Sequence, residues 1–302
     1  MFHALASLDV VLVPLQLVLA MAGMGATMTL ADFKSIVRDP SGLALGLVVQ
    51  VVCVPLLAVG LAQALGLGKG WAVGLLLVAA VPGGAFSNLL TFFGRGNVPL
   101  SIAITTVSTL GCIATVPLVL RVAARSHLPP GVVLPTQRIV VEIFAYLLIP
   151  LAAGMVLRRF APGRSAAVSR WSIRGALSLI ALITLGALGS GKIRVVEFGW
   201  QPPLVIVVFG ASLALGVPQL MRALGRYDDD TVATTIEVAV RNVGVALLLV
   251  HFFFPGQPEQ AHVLYTALFY AGASPAFALP IMFRHRWGRS AVLFRRRRPR
   301  PG

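Results

Sequence analysis

The chain has 302 residues, 57% hydrophobic and 12% charged, with a mean hydropathy of +0.88. A water-soluble chain of this length carries roughly 25% Asp, Glu, Lys and Arg; half that share cannot cover a solvated surface, so a soluble fold is excluded. The formal charge of +15, from 25 basic and 10 acidic residues, would in a soluble chain point to nucleic acid, and where those charges fall decides the matter.

Apolar runs of about 20 residues read as membrane helices, and nine are expected in chain order: 9–30, 41–65, 71–93, 99–122, 135–157, 171–190, 203–224, 231–253 and 261–283. The first lacks a basic leader and a following small-residue cleavage site, so it reads as a retained helix and not a signal peptide. Span two holds one strongly polar residue, Gln50. Span three reads Val81-Pro82-Gly83-Gly84-Ala85-Phe86-Ser87-Asn88. Proline removes an amide and paired glycines favour non-helical backbone, so a break in mid-membrane is expected. Span four sets Ser101, Thr105, Ser108 and Thr109 on one helical face. Span eight carries Glu237, Arg241 and Asn242 near its middle, where an Asp or Arg costs roughly 2.5 to 3.5 kcal/mol. Four residues apart, Glu237 and Arg241 share a face and pair if the segment is helical. Taken singly, each feature has a plain structural reading: a packing kink, a self-neutralising ion pair, hydroxyls bonded between helices.

Basic residues choose the orientation. With the C-terminus inside, 18 of the 25 lie in cytoplasmic segments, six (Lys69, Arg121, Arg125, Arg138, Lys192 and Arg194) lie outside, and Arg241 falls within a span. The expectation is an inner-membrane protein of bacterial type, N-terminus out and C-terminus in. The arginines of the tail 286–302 then read as a cluster facing anionic lipid, with no nucleic-acid partner. Cys53 and Cys112 read as packing residues. Asp228, Asp229 and Asp230 read as a solvated run at a helix N-terminus.

Spans one to four and six to nine have centres offset by about 160 residues, and an offset of five spans reverses direction through the bilayer. This is the signature of an inverted repeat: repeat one over about 9–125, an unpaired helix over 135–157, repeat two over about 170–285, all in one transporter domain over 1–302. Spans three and eight correspond. Hydroxyls, an amide pair and one carboxylate together supply oxygens for a hard cation such as Na⁺.

These residues resemble the bile acid:sodium symporter family, as a bacterial member. The likeness runs through Gly25, Asp32-Phe33, Gly46 to Gln50, Pro55-Leu56-Leu57, Pro82-Gly83-Gly84 with Ser87-Asn88, Ser101 to Ser108, and Glu237 to Asn242. It implies an all-α membrane fold in which two broken helices, spans three and eight, cross in a core domain beside a rocking panel domain. Members have ten helices or, without the first, nine. The resemblance also implies secondary transport of an organic anion, often driven by Na⁺, with no cofactor. One implied sodium site uses Ser87, Asn88, Ser101, Thr105 and Glu237. A second would use Gln50, Glu237, carbonyls of Val238 and Val240, and a glutamine where this chain has Arg241; Ala239 stands where glycine is usual. A guanidinium has only donors and cannot coordinate a cation. Arg241 therefore either replaces the second ion or binds the carboxylate of the substrate, beside Asn88 and Asn242, or serves both in turn.

The competing expectations are a sodium-independent carrier, proton-coupled or facilitative, a channel, and an intramembrane enzyme. The last lacks a Ser/His, Asp/Asp or metal arrangement at membrane depth, and His251 and His262 have no partner set. In span nine Phe269 and Tyr270 stand near where some members of the resembled family carry polar residues, which implies a different or more apolar substrate. The sequence fixes no oligomeric state, and a monomer suffices.

Overall fold

Lipid offers the backbone no hydrogen-bond partner, so each apolar span must bond its own amides. In the computed structural model, which describes residues 9–29, 31, 40–123, 136–190, 195–226, 229–253 and 259–296, the chain does so with helices throughout. Asp32, Phe33, Lys34, Arg38, Arg125, Lys192, Arg194, Asp228 and the tail from Arg297 lie outside the described residues. The helices are α1 (Asp9–Gly25), α2 (Pro40–Ala64), α3 (Lys69–Ala80), α4 (Ala85–Phe93) and α5 (Val98–Ala123). After them come α6 (Thr136–Ile143, Phe144–Leu148 and Ile149–Phe160 in succession), α7 (Pro162–Gly189) and the short α8 (Val195–Phe198). The chain ends with α9 (Gln201–Ala223), α10 (Asp229–Ala239), α11 (Val243–Phe253) and α12 (Glu259–Arg296). Six described helices are long and apolar enough to cross a membrane, and no strand occurs among the described residues. Leu56, Leu118, Val141 and Leu204 are exposed on the faces of helices, as apolar residues facing lipid are. This is an integral, multi-pass membrane protein.

Several boundaries differ from the expected spans for local reasons. Helix α7 begins nine residues before span six, because Pro162 suits a first helical turn and its arginines lie along the helix. Arg158 Nη1 donates to Ser165 Oγ at 3.1 Å, and the Arg174 guanidinium lies 5.4 Å from the Trp171 ring centre. Helix α12 runs through the start of the expected tail to Arg296, where basic residues favour a helix C-terminus.

Prolines shape α2 and α6. A proline ring clashes with the carbonyl four residues earlier, and a single π-helical turn, which bonds five residues back, relieves that clash. Such turns occur at Val49–Cys53, ahead of Pro55, and at Phe144–Leu148, ahead of Pro150. In each, the closing amide reaches the turn's first carbonyl: Val54 N–H to Val49 O, and Ile149 N–H to Phe144 O.

Helix α1 packs against α6 and α7, and also meets α11. At its end the backbones of α1 and α6 touch: a Cβ added at Gly25 would sit 2.0 Å from Leu151 O, and one at Gly154 2.3 Å from Ala22 O. Small residues bring membrane helices together in this way. Gly25→Ala and Gly154→Ala are each expected to destabilise by about 1–3 kcal/mol, read as a lower Tm of purified protein. Gly111→Ala, whose methyl meets nothing within 4 Å, should leave Tm unchanged or higher; equal Tm for all three variants would remove the close-contact account. Helix α12 packs against α3, α9, α10 and α11, and α10 lies on α5.

Candidate functional site

The two interrupted helix pairs meet at their breaks. After α3, Val81 turns to extended backbone (ψ 150°) as residues before proline do, and Gly84 continues extended (φ −116°, ψ 165°) into α4. The second break, between α10 and α11, lies alongside. Gly83 and Arg241 form an isolated antiparallel bridge, and Asn242 N–H donates to Pro82 O at 2.8 Å. Each break thus supplies partners for backbone groups the other leaves bare. Tyr270 of α12 adds a bond from its hydroxyl to Ala239 O at 2.8 Å, at the last residue of α10.

Beside this junction lies a knot of oxygens around Glu237, which is 0% exposed. Ser87 Oγ stands 2.6 Å from both Gly84 O and Glu237 Oε2. Ser101 Oγ stands 2.8 Å from Asn88 Oδ1, 3.1 Å from Glu237 Oε2 and 3.2 Å from Thr91 Oγ1. Thr105 Oγ1 stands 2.5 Å from Glu237 Oε1, 2.9 Å from Ser101 O and 3.3 Å from Asn88 Oδ1. These eight contacts share four hydroxyl protons, one each from Ser87, Thr91, Ser101 and Thr105. With Glu237 ionised, half of the contacts therefore have no hydrogen of their own. An oxygen-rich, proton-poor cage with one formal negative charge has the donor chemistry a hard cation takes. The five residues named from the sequence come together here, with Thr91 as a sixth that sequence reasoning missed.

Glycine at 83 makes the arrangement possible. A Cβ there would stand 1.8 Å from Glu237 Oε1, so the carboxylate lies directly on bare backbone.

Arg241 departs from the sequence expectation. The pairing with Glu237 required a helix through both residues, but α10 ends at Ala239. No ion pair joins the two among the described residues. Instead Arg241 Nη1 donates to Val81 O at 2.9 Å, the carbonyl just past the C-terminus of α3. The guanidinium thus sits where the C-terminal ends of α3 and α10 converge, a position of partial negative charge. Arg241 is 4% exposed; its guanidinium faces the Tyr270 hydroxyl, and Nε and Nη2 make no well-aligned hydrogen bond.

Gln50 is buried, and neither atom of its amide is partnered. Val238 is enclosed in α10 and Val240 lies in the break. Arg241, Asn242 and Val240 line a cavity of about 330 Å³ bounded by α1, α7, α11 and α12. Asn88 does not line it, its Oδ1 being turned to Ser101 and Thr105. Nor do Phe269 and Tyr270: the former stacks on Tyr265 at 5.7 Å, and the latter donates to Ala239 O and faces the Arg241 guanidinium. Cys53 and Cys112 are free thiols. Asp229 pairs with His285 at 3.0 Å, and Asp230 accepts from Asn97 Nδ2 at 2.6 Å. These acids tie α10 to α12 and to the start of α5, and no metal-holding cluster occurs among the described residues.

The model of the Sodium Bile acid symporter family matches residues 14–193. The chain is 33% identical over 239 residues to "Uncharacterized sodium-dependent transporter YocS" of Bacillus subtilis (strain 168), covering 77% of this chain and 72% of that protein. It is 30% identical over 240 residues to "Probable sodium/metabolite cotransporter BASS1, chloroplastic" of Oryza sativa subsp. japonica, covering 78% of this chain and 57%, less than two thirds, of that one. With "Ileal sodium/bile acid cotransporter" of Oryctolagus cuniculus it shares 30% identity over 268 residues, 87% of this chain and 75% of that protein. The matched segment holds Gln50, the run from Pro82 to Asn88 and the hydroxyl face of α5, and with relatives this similar over most of its length the chain belongs to the sodium bile acid symporter family.

Proposed function

We propose that the protein is a sodium-coupled secondary carrier of an organic anion, with one ion held by Ser87, Asn88, Ser101, Thr105 and Glu237. The observation that carries this reading is the proton-poor oxygen cage around Glu237. The family is one of transporters and not of enzymes, and the printed names of the relatives, sodium-dependent or sodium/bile acid, support the ion and the anionic cargo. In the second site implied by the resemblance, beside Gln50, Val238 and Val240, Arg241 stands in for the ion. Its place between two helix C-termini is one that a cation suits. Because Nε and Nη2 make no well-aligned hydrogen bond and the residue lines the cavity, the same guanidinium receives the carboxylate of the anion, with Asn242 beside it.

Nine spans in an inverted repeat, over about 9–125 and 170–285 with 135–157 unpaired, fit the reciprocal bonding of the two breaks. Rocking of α1, α6 and α7 against the broken-helix unit would expose the cavity to each side in turn. The bias of basic residues supports an N-terminus outside and a C-terminus in the cytoplasm of a bacterial-type inner membrane, with membrane lipid as a further partner.

The test is uptake of organic acids into proteoliposomes with Na⁺ replaced by K⁺. Wild type is expected to depend on sodium with a Hill coefficient of about 1, and Arg241→Gln, which opens the second site, to steepen toward about 2. An unchanged curve in the variant would count against Arg241 as ion substitute. Sodium-insensitive binding in wild type would leave a proton-coupled or facilitative carrier.

A further inference from the structure

Helix α1 carries a buried polar side chain facing the broken-helix unit. Gln16 is 2% exposed in an otherwise apolar helix, and its Oε1 is enclosed without a hydrogen-bond partner. A buried acceptor left unpaired forfeits its bonds to water and is costly to retain. The fold also makes room for it. A Cβ at Gly244, the second residue of α11, would lie 2.3 Å from Gln16 Oε1, so glycine there admits the amide against backbone.

Gln16 lines the same cavity as Arg241 and Asn242. It reaches that cavity from α1, whereas the arginine comes from the break between α10 and α11. Both have buried polar atoms that make no well-aligned hydrogen bond, one set charged and one neutral. Much of the remaining wall is apolar, with Ile173, Leu177, Ile180 and Pro275 contributing. At about 330 Å³, the space sits at the small end of the roughly 300–1,000 Å³ that ligand pockets span.

We infer that Gln16 is a specificity-determining residue that reads a hydroxyl on a short-chain carboxylate, while Arg241 holds the carboxylate itself. The inference rests on the carrier reading above. A hydroxyl both donates and accepts, so once the Gln16 amide turns from Gly244 toward the cavity it gives Oε1 the hydrogen it lacks and takes one from the amide nitrogen. A keto group has no hydrogen to give. An ammonium would meet the Arg241 charge in a cavity lined by no carboxylate. The small volume favours a short hydroxy acid over a steroid acid.

Sites built to bond a substrate hydroxyl reject the analogue without it, because their own polar groups are then left unpaired. The full-length purified protein, in saturating Na⁺, is titrated with short 2-hydroxy and 3-hydroxy monocarboxylates and with the unsubstituted acid of the same chain length. Wild type is expected to bind at least one hydroxy acid more tightly than its unsubstituted partner by about tenfold or more. In Gln16→Leu that ratio falls toward one, through weaker binding of the hydroxy acid and tighter binding of the plain one. The Tm of the ligand-free variant rises, because an unpaired amide is gone. Gln16→Met reads the same ratio should the leucine variant fail to fold. A residue that only packed would shift Tm and leave the ratio alone, so a retained ratio overturns the inference. Equal binding of both acids by wild type overturns it while the carrier reading stands. Wild type that binds no carboxylate, with or without Na⁺, removes the carrier reading and this inference together.

Discussion

Glu237→Gln is expected to lose sodium-stimulated uptake by roughly 100-fold or more while remaining folded. The carboxylate is the one formal negative charge in the cage of Ser87, Asn88, Ser101 and Thr105, and interactions with a charged group are worth about 1.5–3 kcal/mol each. Losing the charge removes the partner that offsets the dehydration of the ion. The amide brings two hydrogens into a cluster short of them, so Tm without sodium should equal or exceed that of wild type. Sodium should raise the wild-type Tm, as any ligand of the native state does, and leave the variant unmoved. An intact sodium response in Glu237→Gln would remove this residue from the ion site.

Gly83→Ala is expected to be nearly as severe by a different route. The added methyl would stand 1.8 Å from Glu237 Oε1 and 2.5 Å from its Cδ. The carboxylate cannot retreat, since both of its oxygens are bonded to hydroxyls on two other helices. Uptake should fall more than about tenfold and stability by about 1–3 kcal/mol, the usual range for overpacking. Gly84→Ala, whose methyl would meet Asn242 Cα at 3.4 Å, is the milder neighbour. The comparison is uptake per mole of reconstituted protein together with Tm. Wild-type uptake by Gly83→Ala would mean that the carboxylate leaves the bare glycine during the cycle.

What could be read from the sequence followed the cost of each residue in lipid. Glu237 stands out because an acid in an apolar span is expensive, and Pro82-Gly83-Gly84 because proline and glycine break helices locally. Pro55 and Pro150 were visible too, but not that wide turns would accommodate them. The break in span eight has no such local cause, since no glycine or proline occurs between Glu237 and Asn242. It is fixed by what lies alongside, the free backbone at Pro82 and Gly83, and only the correspondence between spans and the family resemblance pointed to it. For the same reason no ion pair joins Glu237 to Arg241: four-residue spacing brings side chains together only in a continuous helix, and α10 ends at Ala239. The contacts of Ser87, Ser101 and Thr105 with Glu237 join residues 132 to 150 positions apart. Helical periodicity places the hydroxyls on one face but not against that acid. Gln16 escaped notice because one amide in an apolar run is common, and its companion signal, Gly244, lies in another helix.

The contact between Gly25 and Gly154 bears on how the molecule moves. With two backbones touching and no side chain between them, α1 and α6 have a single register. A slip of one residue would put Ala153 or Met155 where Gly154 stands and drive it into α1. In the rocking proposed above the pair would shift as one plate, and flexing would be left to seams padded by side chains, such as the one where Gln16 of α1 meets Gly244 of α11. The cavity lies on that seam, so whatever fills it would act as a shim whose thickness sets the angle between plate and core.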